Sequence, residues 1–243
     1  MKKALVVLLF FSTLYNVGVL KAQQTITFLS KDMVIITADL YLVNDTLPYM
    51  ILCHQAGFSR GEYKETAIKF TKFGYNCIAL DARSGEGVNG IKNETAFRAK
   101  QKNKSTDYID AEQDIISAIE YAYRLNKKKV ILVGSSYSAS LALKIGTTNN
   151  LVKAVVAFSP GEYFGAKLNL KETIKPFNKG LFVTSTLDEA TSVGNLIRDI
   201  KTPLKLQFIP TGHGEHGSKA LWEVTPNYHE YWLALLMFMR QVK

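Results

Sequence analysis

The stretch Val130-Ile131-Leu132-Val133-Gly134-Ser135-Ser136-Tyr137-Ser138-Ala139 decides the fold. Its opening apolar run does not alternate with polar residues, as expected of a strand buried on both faces. It passes through Gly-x-Ser-x-Ser straight into a helical pattern carried by Ala139, Leu141 and Leu143. A serine forced into a sharp strand-to-helix turn has a strained backbone and an exposed hydroxyl, the arrangement of a nucleophile elbow. Strand and helix pass so close there that the residues two before and two after the serine must be small. Gly134 and Ser138 meet that need around Ser136. Ser135 would be flanked by the bulky Val133 and Tyr137, and Ser138, though flanked by Ser136 and Ser140, falls a turn into the helix. Ser136 is therefore the candidate nucleophile.

Strand-like and helix-like stretches alternate on both sides of this turn. Gln24 to Leu29 and Val34 to Val43 predict an opening hairpin, with Lys31-Asp32-Met33 at its turn. Short apolar strands are expected over Tyr49 to Cys53, Asn76 to Leu80, Val152 to Phe158, Gly180 to Thr184 and Leu204 to Ile209. Helical spacing marks Gly61 to Phe73, closed by Gly74, then Asp107 to Asn126, Ala190 to Ile200 and a last helix from about Asn227 to Val242. Strands separated by helices predict right-handed βαβ units and a mostly parallel sheet of about eight strands, with helices on both faces. Ser84 to Ser105, rich in Gly, Asn, Lys and Arg, reads as a long surface loop near a sheet edge. No insertion is long enough for a separate lid domain.

On these residues the chain resembles the α/β-hydrolase superfamily, and within it the compact, dienelactone-hydrolase-like members. The resemblance covers nearly all of the chain after its first residues, with one departure: Ser138 stands where the last glycine of Gly-x-Ser-x-Gly is usual. It implies a serine activated by a histidine that an acid holds in place, in the chain order Ser, Asp or Glu, His. The family places its acid after the strand Leu181 to Thr184, which points to Asp188, with Glu189 the adjacent alternative and Glu162 a more distant one. It carries its base in a His-Gly step before the final helices, which favours His216 over His213. His54 ends an earlier strand and His229 lies in the last helix, and both read as structural. The oxyanion donors implied are the amide of Tyr137 and one from His54-Gln55-Ala56-Gly57, by position Ala56, with Gln55 the alternative. Arg83 reads as a residue that holds its loop through a buried ion pair, and Tyr163 and Phe164 as candidates to line an acyl pocket.

The implied chemistry is cleavage of an ester or related acyl bond of a small molecule through an acyl-enzyme, with no cofactor and no metal. A metal role for His213 and His216 would lack any nearby third ligand but Glu215. Transfer of the acyl group to another acceptor would use the same triad, and a binding protein that kept the fold without catalysis would be consistent with Gln55 and Ser138.

Length and composition fit this reading. The 243 residues suit a single α/β domain, and 47% hydrophobic with 21% charged residues is ordinary globular usage. Lys2 and Lys3 precede an apolar run from Ala4 to Leu14 that fades to Leu20-Lys21-Ala22, the order of a secretory signal. Cleavage after Ala22 is expected, leaving residues 23–243 as the mature domain, secreted or periplasmic, with no membrane span retained. The formal charge of +9 falls to +6 without Lys2, Lys3 and Lys21. That surplus suits anionic substrates or an anionic envelope surface, though most of it reads as solvated lysine, and export argues against nucleic acid. Cys53 and Cys77 each sit inside a strand-like run, about three residues out of register if those strands are parallel neighbours. At roughly 3.3 Å per residue that offset exceeds disulfide reach, so both are expected as buried free thiols. Sequence leaves the oligomeric state open.

Overall fold

The computed structural model of the protein describes residues 22–242. The predicted signal therefore lies outside the described residues but for Ala22, which opens the first strand. Strands β1 (Ala22–Leu29) and β2 (Ile35–Leu42) form the expected antiparallel hairpin. Its turn is held by the Ser30 hydroxyl, which accepts from the Val34 amide at 2.9 Å. Then follow β3 (Tyr49–Cys53), α1 (Thr66–Thr71), β4 (Asn76–Leu80), the two-residue strands β5 (Gly87–Val88) and β6 (Ile91–Lys92), and α2 (Glu94–Gln101). Next come α3 (Glu112–Asn126), β7 (Val130–Ser135), α4 (Tyr137–Thr148), β8 (Val152–Phe158) and α5 (Leu170–Thr173). The chain ends with β9 (Gly180–Thr184), α6 (Ala190–Leu196), β10 (Lys205–Phe208) and α7 (Tyr228–Met239).

The main sheet has eight strands in the order β1-β2-β4-β3-β7-β8-β9-β10. Every pairing from β4 to β10 is parallel, and only the β1 and β2 pairings are antiparallel. The central strands β3, β4 and β7 are buried along their whole length, which is why they read as unbroken apolar runs. Alternate residues of each strand feed two cores. One contains Ile51, Leu132 and Val155 with α3 and α4, and the other contains Leu52, Val133 and Val156 with α1 and α7. The chain thus has the mostly parallel eight-stranded sheet that the alternation predicts and the α/β-hydrolase fold that the resemblance implies. No helix among the described residues is long and apolar enough to cross a membrane.

The expectation of a loose surface loop over 84–105 is corrected. Val88-Asn89-Gly90-Ile91 is a tight hairpin whose two central residues both have positive φ, the backbone that Asn-Gly supplies most readily. Asn93 then caps α2 by accepting from the Ala96 amide at 2.8 Å, and the Asp81 carboxylate accepts from the Glu94 amide at 2.9 Å. Arg83 does hold its loop through ion pairs: the fully buried guanidinium meets Asp114 of α3 at 2.7 Å and Asp32 of the β1–β2 turn at 2.8 Å. The predicted helix over Gly61 to Phe73 is split into a short 3-10 turn over Arg60–Tyr63 and then α1. β3 and β4 are parallel neighbours with Cys77 opposite Met50 and Cys53 opposite Leu80, so the two buried thiols are three residues out of step and stay free.

Candidate active site

The elbow is built as its sequence requires. Ser136 stands between β7 and α4 at φ 58° and ψ −123°, a backbone conformation that costs on the order of 1–3 kcal/mol and persists only where its surroundings dictate it. Its amide is fixed by the Phe158 carbonyl at 2.8 Å. A Cβ on Gly134 would come within 2.5 Å of the Ala139 Cα, so strand and helix leave room for hydrogen alone. Ser138 does more than stay small. Its hydroxyl accepts from the Ser135 amide at 2.9 Å and lies 2.8 Å from the Cys53 carbonyl, tying the elbow to the end of β3. The departure from glycine is therefore a structural substitution that reinforces the turn.

His216 reaches the elbow from the loop after β10. Its Nε2 lies 2.8 Å from the Ser136 Oγ, and its Nδ1 lies 2.5 Å from Glu189 Oε1. Gly217 lets this loop come in: it has φ +69°, and a Cβ there would sit 2.4 Å from the Ser135 hydroxyl. His213, the alternative base, is 91% exposed in its side chain and faces no nucleophile.

The carboxylate that meets His216 is Glu189, not the expected Asp188. The Asp188 carboxylate is 82% exposed and lies 3.8 Å from His213 Nδ1, away from His216. The reason is local. In Thr186-Leu187-Asp188-Glu189 the Thr186 hydroxyl accepts from the Glu189 amide, and the Glu189 carboxylate accepts from the Thr186 amide, both at 3.2 Å. This reciprocal pairing is that of a capping box, and it turns Glu189 inward and Asp188 out. Glu189 Oε2 also accepts from the Ser159 hydroxyl at 2.7 Å. Burial alone would push the Glu189 carboxyl up, but the hydrogen bonds of His216 and Ser159, with the Thr186 amide, outweigh it and bring it down to about 2. Glu162 is occupied elsewhere, accepting from the Leu170 and Lys171 amides at the start of α5.

The two expected oxyanion donors are separated from their alternative by one hydrogen bond. The Gln55 amide donates to Glu62 Oε2 at 2.7 Å and is spent. The Ala56 amide meets no acceptor among the described residues. Tyr137 is the first residue of α4, so its amide has no carbonyl one turn back. His54 locks the same loop: its Nδ1 lies 2.8 Å from the Gln55 carbonyl, and its Nε2 accepts from the Ala82 amide at 2.9 Å. His229 lies at the start of α7, its ring against Tyr228.

Glu62 is the residue that sequence reasoning missed. Its carboxylate is buried and accepts from the Gln55 amide, from the Ser135 hydroxyl at 2.7 Å and from the Ser218 hydroxyl at 2.5 Å. It therefore joins the loop after β3, the residue before the nucleophile and the loop that carries His216. Desolvation pushes its carboxyl up, against the opposing bonds from Ser218 and Ser135. Nothing in Arg60-Gly61-Glu62-Tyr63 distinguishes this glutamate from a solvent-facing one.

A recess of about 310 Å³ is walled by Tyr108, Ile109, Tyr163 and Phe164, with Thr106, Asp107 and Lys167 on its border, and it reaches the elbow through Tyr108, which packs on Tyr137. Tyr163 and Phe164, the candidates for an acyl pocket, are among its walls, and Tyr108 stacks on Tyr137 with ring centres 4.6 Å apart.

Comparison with known proteins agrees with this architecture. The chain superposes on an esterase of Pyrococcus furiosus with TM-score 0.62 and 16% identity, over 90% of this chain and 92% of that one. For a dienelactone hydrolase of Anabaena variabilis the values are 0.65 and 13%, over 89% and 95%. For an α/β hydrolase of a Penicillium species they are 0.66 and 13%, over 90% and 98%. At such identities the likeness is one of fold. No curated protein matches the sequence. Residues 39–196, however, match the dienelactone hydrolase family, and with most of the chain covered the protein belongs to that family of ester-bond hydrolases.

Proposed function

We propose that the protein is an exported serine esterase whose triad is Ser136, His216 and Glu189. The observation that carries this reading is the unbroken chain of contacts from Ser136 Oγ through His216 to Glu189, at 2.8 and 2.5 Å, on a strained elbow. In the reaction Ser136 Oγ attacks the ester carbonyl carbon while His216 Nε2 takes its proton. The Glu189 carboxylate holds the Nδ1–H and stabilises the imidazolium. Charge that develops on the carbonyl oxygen is met by the amides of Tyr137 and Ala56. His216 then gives its proton to the departing alcohol oxygen. Water, deprotonated by the same histidine, attacks the acyl-enzyme and releases the acid and Ser136. The residues from Lys2 to Ala22 support export, and cleavage there leaves a domain that starts at Gln23.

The test is fluorophosphonate labelling of the cell-envelope and culture-medium fractions, beside Ser136→Ala and His216→Ala. Labelling of an exported species with the mass of a chain beginning at Gln23, lost in both variants, is the expected result. An unlabelled folded wild type sinks the esterase. A labelled species that retains Met1 sinks the cleavage.

A further inference from the structure

The recess beside Ser136 has a side, a shape and a charge state, and together they specify an occupant. The residues that follow His216 pack Ala220 and Leu221 into the core shared with α1 and α7. Tyr163, Phe164 and Ile109 belong to the core on the opposite face of the sheet, with α3 and α4. His216 and the recess therefore approach Ser136 from opposite faces. The alcohol that takes the proton of His216 leaves on the histidine's side, and the acyl group lies toward the recess. This step rests on the triad proposed above.

The walls are aromatic, and one of them is firmly set. Tyr108 is stacked on the buried Tyr137 with an interplanar angle of 18° and remains 40% exposed, so its inner face is backed by a ring while its remaining surface fronts the cavity. Tyr163 is anchored across from it by its hydroxyl, which donates to the Ser159 carbonyl at 2.9 Å. Ser159 also donates its hydroxyl to Glu189 at 2.7 Å and accepts from the Gly217 amide at 3.1 Å, which places this wall beside the triad. Ring faces fixed in this way favour a second flat π-system over a flexible chain, which must be ordered on binding. A volume of about 310 Å³ lies at the small end of ligand sites and is ample for a benzoyl ring.

Charge completes the argument. Among the described residues the one cation bordering the recess is Lys167, which is paired with the Asp107 carboxylate at 2.6 Å. An anionic acyl group would find that ammonium already neutralised and the carboxylate next to it. We propose that this recess is the acyl subsite and that it takes an uncharged aromatic acyl group of benzoyl size.

The experiment uses p-nitrophenyl esters, which share one leaving group, with each kcat/KM divided by that ester's rate with hydroxide. The purified protein is assayed with acetate, hexanoate, benzoate and 4-carboxybenzoate esters. The expected order places benzoate above hexanoate by about three- to tenfold, the range of an aromatic contact, and above 4-carboxybenzoate. Tyr108→Ala should erase the benzoate-to-hexanoate ratio and Tyr108→Phe should keep it. Asp107→Asn, which frees Lys167 on an exposed surface, should raise the 4-carboxybenzoate rate by about two- to fivefold, as for an exposed ion pair. Turnover of acetate and hexanoate with no preference for benzoate overturns the subsite and leaves the esterase standing, as does a ratio that Tyr108→Ala leaves unmoved. Absence of turnover of every ester, with no fluorophosphonate labelling, overturns both.

Discussion

At the scale of single residues, the assignment most exposed to test is Glu189 over Asp188, because the two are adjacent and only one meets His216. Glu189→Gln keeps the shape but loses the charge that favours the imidazolium, and should lower kcat by about 10³- to 10⁴-fold. Asp188→Asn, at a solvent-facing carboxylate, should change kcat less than about twofold, the size of an exposed charge effect. Steady-state kinetics on one activated ester decides the matter, and a large loss in Asp188→Asn with little loss in Glu189→Gln would return the acid to Asp188. Because Glu189 is held at about 2, it stays ionised through mildly acid pH. Its contribution to stability is present above its ordinary unfolded value and is lost as pH falls toward 2. Titration of Glu189 should therefore leave activity unchanged through mildly acid pH. Ser136 was legible in the sequence because an elbow demands small neighbours at fixed offsets, and Gly134 and Ser138 provide them. His216 came from a His-Gly step whose necessity is visible only in the close approach of Gly217 to Ser135. The carboxylate partner of His216 was missed by one position because strand-end placement cannot tell adjacent side chains apart. The clue was Thr186-x-x-Glu189, a capping box, which decides the direction by hydrogen bonding.

At the scale of elements, the nucleophile, base and oxyanion loops leave three different strands and need a common anchor, and Glu62 is placed to be it. Glu62→Leu would leave the Ser135 and Ser218 hydroxyls and the Gln55 amide without their acceptor in a buried site. At about 1–3 kcal/mol for each such group, a loss of about 3 kcal/mol or more is expected in urea unfolding. Glu62→Gln is the more informative variant. The folded state pushes this carboxyl up, so it holds a proton more tightly than the unfolded chain does. Stability of the wild type should then fall as pH rises from the ordinary glutamate range through the raised value, and glutamine has no such titration. The Tm difference between the two proteins should narrow as pH rises across that window. A pH-independent difference would mean that Glu62 acts only through its shape. The elements themselves were largely legible, since buried strands and amphipathic helices leave periodic patterns. The segment 84–105 was not, because its strands are two residues each and show no period. Its order comes from the Asn89-Gly90 turn and from Asn93, Asp81 and Arg83 bonding across the chain, which no local window contains.

At the scale of the whole molecule, sheet register has a measurable consequence in the state of the two thiols. The protein carries two cysteines in adjacent strands and keeps both reduced. Parallel pairing puts Cys53 opposite Leu80 and Cys77 opposite Met50, and their side chains enter different cores, Cys53 with α3 and α4 and Cys77 with α1 and α7. No rotamer change can join them; β3 would have to slide by three residues, which would also carry the Cys53 carbonyl away from Ser138 and dismantle the elbow. Burial also pushes both thiols up, so neither offers a thiolate to an oxidant while the sheet is intact. A thiol-reactive probe should therefore leave the native protein unmodified and label both cysteines after denaturation. In partial denaturant the labelling rate should follow the loss of esterase activity, because Cys53 and Ser136 are fixed to the same pair of central strands. The Tm should be the same with and without a reductant. A Tm that drops in reductant, or a denatured chain that shows no free thiol, would mean that the register of β3 against β4 differs from the one described, and with it the placement of the loop that β3 carries.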